Sequence, residues 1–341
     1  METKSKKTKI IAEIALTHNG NFNKAINLIS KCKDAGADYV KLQTHFAKFE
    51  SSKDEKFRKG FNFKEKNRYL YWKKREFTPR EWKKLFLFSK KIKIKFLSSP
   101  FSVEAFDILK KIGLNTWKIS SGEFFSKSLI DKILKTKDKI ILSTGLANLN
   151  EINKLIKIIK KNGNDLTVLQ CTTKYPTKLE NVGLNVAKYF KKKLKVKNGI
   201  SDHSGTIYPS IEAIKNEFDM VEVHVEEKDN SKLKGPDTES SLTFEELKII
   251  TNAHSSFKKL NKKLNKNKIS KTLLSYKTLF TKSICTKVKI TKGDKISMDN
   301  ICFKKPNIGI PENKIDRILK YRFNKNIDSN KIVKWGDIKI K

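Results

Sequence analysis

The sequence has few of the features that mark secreted, disulfide-bonded or membrane-spanning proteins. Only four of its 341 residues are cysteines, and they form neither a CxxC pair nor a zinc-binding spacing. We therefore expect reduced, mostly buried thiols. No apolar run reaches the roughly 18 residues of a membrane helix, and the charged N-terminus lacks the apolar segment of a secretion signal. These absences favour a cytoplasmic protein without a membrane partner.

Acidic residues are scarce beside basic ones. There are 36 Asp and Glu against 75 Lys and Arg, a net charge of +39. The lysines are spread along the predicted helices, as at Lys154, Lys157 and Lys160, and no RGG, zinc-finger or RNP pattern accompanies them. We interpret the charge as a solvated surface that can steer an anionic substrate, and we expect no nucleic-acid partner. A nucleic-acid-binding protein stays the alternative from a different class, and its affinity would fall steeply with salt.

Short apolar runs alternate with helical patterns along most of the chain. Several runs are continuous rather than alternating, as in strands buried on both faces. Ala25, Leu28, Ile29 and Cys32 have the spacing of an amphipathic helix, and Thr78 to Glu81 form a capping box. The predicted strands are Ile10–Leu16, Tyr39–Thr44, Phe96–Ser99, Thr116–Ser120, Ile140–Thr144, Leu166–Thr172, Val196–Ser201 and Met220–Val225.

Eight strand–helix units within about 260 residues predict a (β/α)8 TIM barrel. We assign residues 1–260 to this barrel, 261–280 to a linker rich in lysine and asparagine, and 281–341 to a small β-rich domain of short strands and turns. The connection from His45 to Phe77 is unusually long, which is typical of a lid or a substrate wall.

Polar residues follow every predicted strand, at the end of the barrel where active sites lie. Lys41 and Lys118 suit a phosphate or carboxylate. His203 and His224 end neighbouring strands and could bind a transition metal, whereas His18, His45 and His254 are weaker candidates. Glu123 could position or deprotonate a water. The remaining strand-end candidates are Glu13, Gln43, Ser98, Ser99, Ser121, Ser143, Thr173, Tyr175, Ser201, Asp202 and Glu222.

Nine strings, in order along nearly the whole chain, resemble the sialic acid synthase family, which includes legionaminic and pseudaminic acid synthases. They are IIAEIALTHNG (10–20), AGADYVKLQT (35–44), FLSSPFS (96–102), WKISSGE (117–123), ILSTG (141–145), LQCTTKYPT (169–177), GISDHSGTIYPS (199–210), EVHV (222–225) and GPD (235–237). Residues 283–284, 290–294 and 300–301 resemble the family's antifreeze-like (SAF) domain.

The resemblance implies a reaction and a role for each candidate. Phosphoenolpyruvate condenses with an N-acetylated amino-sugar aldose, either N-acetylmannosamine or a 6-deoxy diacetamido analogue, and water, giving a nonulosonic acid and phosphate. His203 and His224 would hold a divalent ion, expected to be manganese, with magnesium or cobalt as alternatives. Glu123 and Glu13 would be catalytic. The implied phosphoenolpyruvate contacts are Lys41, Lys118, Ser121, Ser143 and Ser201, and the sugar side comprises Glu13, Gln43, Tyr175 and Asp237.

Ser99, Thr173 and Lys305 complete the expected substrate-binding set. Thr173 stands where several members of the family have asparagine or serine. Lys305 stands where the family has an arginine that crosses to the partner subunit's site and contacts the sugar's acyl group, so the resemblance implies a domain-swapped homodimer. Lysine cannot form a bidentate fork, which leaves the sugar substituent open. Another 3-deoxy sugar-acid synthase and a purely structural barrel are the remaining alternatives.

Overall fold

Eight parallel strands form a closed barrel in the computed structural model of the chain, which describes residues 7–57, 65–227 and 235–340. Each strand pairs with the next, and β8 pairs with β1 to close the barrel. The predicted (β/α)8 barrel is therefore confirmed. The strands are β1 Lys9–Ala15, β2 Tyr39–Thr44, β3 Lys95–Pro100, β4 Thr116–Ile119, β5 Lys139–Ser143, β6 Leu166–Cys171, β7 Lys197–Asp202 and β8 Met220–Val225, followed by the two-residue β9 Ser241–Leu242 beside β8.

Helices surround the barrel and begin at the residues that the sequence marks as caps. Thr78 and Glu81 form the predicted capping box, with Pro79 in the first turn, and Thr243 and Glu246 form a second one. The helices of this unit are α1 Phe22–Asp34, α2 Ala47–Glu50, α3 Arg68–Arg75, α4 Pro79–Lys91, α5 Val103–Lys111, α6 Lys127–Leu134, α7 Leu149–Lys161, α8 Leu184–Lys193, α9 Tyr208–Lys215 and α10 Phe244–Leu260.

The main core lies between the strands and the inner faces of these helices. In α7, for example, Ile152, Leu155, Ile156 and Ile159 repeat at i, i+3, i+4 and i+7 and are all buried. Burying each such side chain contributes about 1.5–3 kcal/mol. The lysines of the helix lie on its outer face, in agreement with a solvated basic surface.

The barrel interior is built in layers two residues apart. A separate apolar cluster comprises Ile11, Tyr39, Leu97, Ile141, Leu169 and Met220. Because side chains alternate between the two faces of a strand, the residues two positions later point the same way. These residues are Glu13, Lys41, Ser99, Ser143, Cys171 and Glu222, all buried. The interior thus changes from apolar to ionic toward the C-terminal ends of the strands, which places the site there.

The chain divides into two compact units, residues 1–261 and 262–341. The segment predicted as a linker contains two short helices, α11 Lys266–Thr272 and α12 Leu274–Phe280. The second unit has its own buried core, which includes Ile284, Ile310 and Phe323. Its elements are β10 Ser283–Thr286, β11 Ile301–Lys304, α13 Ile315–Ile318, β12 Tyr321–Phe323 and β13 Ile338–Ile340. The strands β10 and β11 form one antiparallel sheet, and β12 and β13 form another.

Two expectations from composition can be compared with the structure. Cys32, Cys171, Cys285 and Cys302 are all free thiols, and three of them are buried. Within the described residues, no helix combines the length and the apolar character needed to cross a membrane.

Candidate active site

A cavity of about 380 Å³ opens at the C-terminal ends of the barrel strands. It brings together most of the residues predicted from the sequence. The predicted residues that line it are Lys41, Gln43, Lys118, Ser121, Glu123, Ser143, Thr173, Tyr175, Ser201, His203, His224 and Asp237. Glu13 and Ser99 do not line it, and Lys305 belongs to the second unit.

An ionic floor made of Glu13, Lys41, Lys118 and Glu222 lies at the bottom of the cavity, and all of its members except Glu13 line the cavity. Lys41 Nζ is in direct contact with the Glu13 carboxylate and lies 3.7 Å from Glu222 Oε1. Lys118 Nζ lies 3.2 Å from the same Glu222 oxygen. All four side chains are almost completely buried. Two cations and two anions therefore balance each other where water cannot screen them.

Hydroxyl groups complete the hydrogen bonds of the floor. Lys118 Nζ donates to Ser143 Oγ at 2.8 Å, and Lys41 Nζ donates to Ser99 Oγ at 3.4 Å. Ser201 Oγ donates to Glu222 Oε1 at 3.1 Å. The serines thus fix both ammonium groups and the shared carboxylate in position.

Glu13 and Ser99 are not among the residues that line the cavity, and both contact Lys41. Glu13 Oε1 accepts a hydrogen bond from the backbone N–H of Ala15 at 2.6 Å, and its carboxylate contacts Lys41 Nζ. Ser99 likewise contacts Lys41 from outside the cavity. Both residues contact Lys41 and hold it in position, although they belong to the same barrel layer as Lys41 and Ser143, which do line the cavity.

The pKa values of Lys41 and Glu222 are both lowered, for different reasons. For Lys41, burial is the largest cause, Glu222 opposes it and the Lys118 ammonium adds to it, and the combined effect lowers the pKa to about 7. Burial alone would raise the pKa of Glu222, but Lys118 and Lys41 outweigh it and hold that pKa below its usual range. An anion bound at the floor would favour the charged form of Lys41.

His203 and His224 lie side by side above the floor, with ring centroids 5.2 Å apart. His203 Nδ1 lies 3.1 Å from the carbonyl oxygen of Thr172 and donates to it, so a neutral ring carries its lone pair on Nε2. Burial lowers the pKa of His203, but Cys171 and the Thr172 carbonyl outweigh burial and raise that pKa above its usual value. His224 Nδ1 is buried without a hydrogen-bond partner, with Asp237 Oδ2 at 3.9 Å. Burial, followed by the neighbouring His203, lowers the pKa of His224 well below its usual range, so the ring is neutral.

These two imidazoles fit a metal centre with few protein ligands. Neutral imidazole is a common ligand of divalent ions, and the buried Nδ1 of His224, which has no hydrogen-bond partner, fits such a role. In the described ranges no group of three or more His, Cys, Asp or Glu side chains could hold a metal. The two histidines would therefore leave the other coordination positions to water or substrate.

Short loops hold the histidine pair in place. Asp202 accepts hydrogen bonds from the backbone N–H and the hydroxyl of Ser204, both at 3.0 Å, in the turn that carries His203. The ring of Tyr175 stacks on His203 with centroids 4.2 Å apart and meets His224 edge-on at 6.1 Å. A polar turn and an aromatic side chain thus set the direction of both rings.

Glu123 lies in a 3₁₀ turn directly after β4 and is half-buried. Burial raises the pKa of its carboxyl, and the nearby Glu50 raises it further, against a lowering hydrogen bond with Ser126. Glu123 lines the cavity, where its carboxyl group could contact a water or a substrate.

Gly145 follows β5 at a point where no side chain fits. A Cβ atom there would lie 2.2 Å from Thr173 Oγ1, 2.8 Å from Ser121 Oγ and 2.9 Å from Cys171 Sγ. The backbone N–H of Gly145 donates to Ser121 Oγ at 3.0 Å. Thr173 Oγ1 is buried without a hydrogen-bond partner, so it is available to a ligand.

The side of the cavity is an aromatic wall made of His45, Phe57, Tyr71, Trp72 and Phe101. The ring of His45 lies between Trp72, at a centroid distance of 4.3 Å, and Phe101, at 4.1 Å. Most of this wall comes from the long connection between His45 and Phe77, of which residues 58–64 lie outside the described ranges. Glu50, Glu55 and Arg68 add charged groups to it.

Sequence reasoning expected a lid or a substrate wall in the connection from His45 to Phe77, but it did not name the aromatic residues of the wall and treated His45 as a weak candidate. One available signal was the alternation of β2, because Lys41, Gln43 and His45 follow one another at intervals of two residues. The same alternation relates Glu222 to His224, so Glu222 could have been singled out from its neighbour. Nothing in the sequence of α3 indicated that Tyr71 and Trp72 would line a cavity.

Comparison with known proteins adds family relationships to this geometry. Residues 28–266 match the model of the NeuB family. The chain is 34% identical over 337 residues to the N,N'-diacetyllegionaminic acid synthase of Campylobacter jejuni, covering 96% of this chain and 99% of that protein. It is 31% identical to the pseudaminic acid synthase of Helicobacter pylori, covering 97% of each chain. A crystal structure of the N-acetylneuraminic acid synthetase of Leptospira borgpetersenii, in complex with citrate, superposes with a TM-score of 0.66 at 27% identity, covering 80% of this chain and 92% of that one.

Proposed function

Given that the chain belongs to the NeuB family, we propose that it is a sugar-acid synthase. It condenses phosphoenolpyruvate with an N-acetylated amino-sugar aldose and water, and it releases inorganic phosphate. The observation that carries this proposal is the ionic floor, where two buried lysines face a cavity of a size suited to small molecules.

Lys41 and Lys118 supply positive charge for the carboxylate and the phosphate group of phosphoenolpyruvate. Each ammonium already lies against a carboxylate, so phosphoenolpyruvate would bind lysines that are also paired with Glu13 and Glu222. Ser121, Ser143 and Ser201 add hydroxyl donors around the same place. Preorganised donors of this kind stabilise developing charge without reorganisation.

The proposed reaction proceeds by positioning two substrates against each other. A carbon–carbon bond forms between the methylene carbon of phosphoenolpyruvate and the aldehyde carbon of the open-chain sugar, and the aldehyde oxygen becomes a hydroxyl. Water adds to the former enol carbon, and phosphate then leaves from that carbon. Glu123 is the group that we assign to this water, because its raised pKa lets it accept and return the proton.

His203 and His224 would hold a divalent ion, for which we propose manganese, with magnesium or cobalt as alternatives. The ion would supply a Lewis acid that polarises the sugar aldehyde. The neutral state and the orphaned nitrogen of His224 support this assignment. Tyr175, which stacks on His203, and Asp237, which lies near His224, would orient the sugar beside the ion.

For the second unit we propose the role that the resemblance implies. Residues 281–341 would form a SAF (antifreeze-like) domain that crosses to the partner barrel of a homodimer in the cytoplasm. Lys305 follows β11, and its Nζ lies 5.5 Å from the ring centroid of Phe280 in the same unit. A truncation after Lys282 tests the role: it should leave a folded barrel with little activity, and full turnover by the truncated chain would contradict it.

The direct test is a phosphate-release assay with phosphoenolpyruvate and a panel of amino-sugar aldoses. We expect release only when both substrates are present, its loss after exhaustive chelation, and its recovery with a divalent ion. Phosphate release without any aldose, or no release with every aldose tested, would contradict the proposed synthase activity. Full activity after chelation would contradict the metal centre alone.

A further inference from the structure

The aromatic wall contains a hydrogen-bonded triad of Gln43, His45 and Glu50 that none of the proposed catalytic steps uses. His45 Nδ1 lies 2.8 Å from Glu50 Oε1, and His45 Nε2 lies 3.1 Å from Gln43 Oε1. Nδ1 donates to the Glu50 carboxylate, and Nε2 lies against the side-chain amide of Gln43. The histidine therefore fixes a carboxylate and an amide at the same time, and all three residues line the cavity.

Packing leaves the ring of His45 very little freedom. The indole of Trp72 is nearly parallel to it, at an interplanar angle of 9°, and Phe101 covers its other face at 22°. The side chain of His45 is only 4% exposed. A ring held from both faces keeps its two hydrogen bonds in one direction, as a positioning group requires.

The triad leaves hydrogen-bonding capacity unused. Glu50 Oε2 is buried and has no hydrogen-bond partner, although the side chain lines the cavity and is only 8% exposed. The amide oxygen of Gln43 is occupied by His45, so its amide nitrogen remains a donor. A buried carboxylate oxygen without a partner is costly unless a ligand satisfies it.

We propose that Gln43 and Glu50, held in place by His45, form a subsite for an uncharged group of the aldose that both donates and accepts a hydrogen bond. This inference rests on the proposed synthase activity. Glu50 Oε2 accepts the hydrogen, and the amide nitrogen of Gln43 donates to the oxygen of the same group. A hydroxyl and an acylamino group share this chemistry, and the adjacent rings of Trp72 and Phe101 offer an apolar surface to a methyl substituent.

The charge of the wall favours an unphosphorylated sugar. Glu50 and Glu55 both line the cavity on this side, and the cation beside them, Arg68, is already paired with Glu55 at 2.7 Å between Nη1 and Oε1. A phosphate group placed here would face carboxylates in a poorly hydrated site, where like charges repel strongly. The subsite therefore selects against an aldose phosphorylated at its far end.

The test compares Glu50→Gln and His45→Phe with the wild-type enzyme and with Lys48→Gln. Lys48 is exposed on the same helix as Glu50, so this control also replaces a charge by an amide. His45→Phe keeps a ring between Trp72 and Phe101 but removes both hydrogen bonds. The Michaelis constants for phosphoenolpyruvate and for each aldose are measured, using N-acetylmannosamine, its 6-deoxy diacetamido analogue and a 6-phosphorylated N-acetylmannosamine.

We expect both variants to raise the Michaelis constant for an unphosphorylated aldose about 10-fold, while that for phosphoenolpyruvate changes less than about 2-fold. A rise in the Michaelis constant that is confined to the diacetamido sugar would identify an acylamino group. An equal rise with both unphosphorylated sugars would identify a shared hydroxyl. The double variant should be no worse than the poorer single one, because both residues act in one triad.

Unchanged Michaelis constants for the aldoses in both variants would overturn the subsite. An equal rise in the Michaelis constant for phosphoenolpyruvate would also overturn it, and so would a preference of the wild type for the phosphorylated aldose. If His45→Phe does not fold, Glu50→Gln carries the same test. Failure of the wild type to use any aldose would instead contradict the synthase activity, so the two failures are distinguishable.

Discussion

The floor and the wall of the cavity are built from different parts of the chain and in different ways. The floor consists of side chains on the strands β1, β2, β4 and β8, and each of its lysines lies against a carboxylate. The wall comes largely from the connection after β2, and it holds a carboxylate oxygen without a partner. Glu222 Oε2 of the floor also lacks a hydrogen-bond partner, but the floor carboxylates pair with two ammonium groups on barrel strands, whereas Glu50 of the wall is held by the ring of His45.

This difference predicts that the floor and the wall bind different substrates. A floor made of strand residues can bind the substrate that the reaction always uses, because the barrel fixes its geometry. A wall made of a long loop and short helices can differ between enzymes without disturbing the barrel. We therefore expect floor variants to change the use of phosphoenolpyruvate and wall variants to change the choice of sugar.

The largest expected effect comes from removing a charge from the floor. Lys118→Met keeps much of the apolar stem but removes the ammonium that lies 3.2 Å from Glu222. The loss of one charged contact to an anion costs about 2–4 kcal/mol, so kcat/KM for phosphoenolpyruvate should fall roughly 30- to 1,000-fold. Steady-state kinetics measure this. Lys154→Met, on the outer face of α7, is the control, and equal behaviour of the two variants would remove the anion site.

The next effect should come from crowding the rim of the floor. In Gly145→Ala the new methyl group would collide with Thr173, Ser121 and Cys171, so we expect a loss of activity of about 10- to 100-fold from misplaced contacts. Gly122→Ala is a matched control in the same cavity, because nothing lies within 4 Å of a Cβ atom there. If both variants were equally active, the packing around Gly145 would have no functional meaning.

A smaller effect is expected from pH. The pKa of Lys41 is lowered to about 7, so the ammonium that faces Glu13, Glu222 and Lys118 is lost as the pH rises through that value. The factor kcat/KM reports the free enzyme, and it should fall roughly tenfold for phosphoenolpyruvate between pH 6 and pH 8. The arginine of Lys41→Arg stays charged, so kcat/KM of this variant should not fall between pH 6 and pH 8, even if its absolute rate is low. The same fall in kcat/KM in both proteins would show that another group titrates.

The smallest effect tests whether sugar selection extends beyond the wall. Lys305→Ala should raise the Michaelis constant for the sugar about 5-fold and leave that for phosphoenolpyruvate nearly unchanged, since a lysine holds an acyl oxygen without a bidentate fork. Lys304→Ala, one residue earlier at the end of β11, is the control. A change in the constant for phosphoenolpyruvate alone would place Lys305 with the floor.

Sequence reasoning reached the floor because strands have a simple period. All eight predicted strands are present, and residues such as Lys118, Ser143 and His224 lie at the strand ends where they were expected. The exceptions are Glu13 and Ser99, which share a layer with Lys41 and contact it from outside the cavity. The period of a strand does not tell which side chains of one layer face the opening.

The wall could not be predicted in the same way. Tyr71 and Trp72 belong to a short helix whose position is fixed by tertiary contacts, including the stacking of Trp72 on His45. No local pattern encodes such a contact. The partly satisfied state of Glu50 is likewise a property of the folded chain, since it depends on which of its oxygens His45 occupies.

One measurement tests the division between floor and wall most directly. It is the ratio of kcat/KM for two unphosphorylated aldoses, N-acetylmannosamine and the diacetamido analogue, at saturating phosphoenolpyruvate in the wild type, in Lys118→Met and in Glu50→Gln. We predict that Lys118→Met lowers both kcat/KM values by the same factor and leaves their ratio within about twofold of the wild type. Glu50→Gln should change the ratio about tenfold if an acylamino group occupies the subsite. If a hydroxyl occupies it, Glu50→Gln should raise the Michaelis constants for both aldoses equally. A shifted ratio in Lys118→Met, together with unchanged aldose kinetics in Glu50→Gln, would contradict the account.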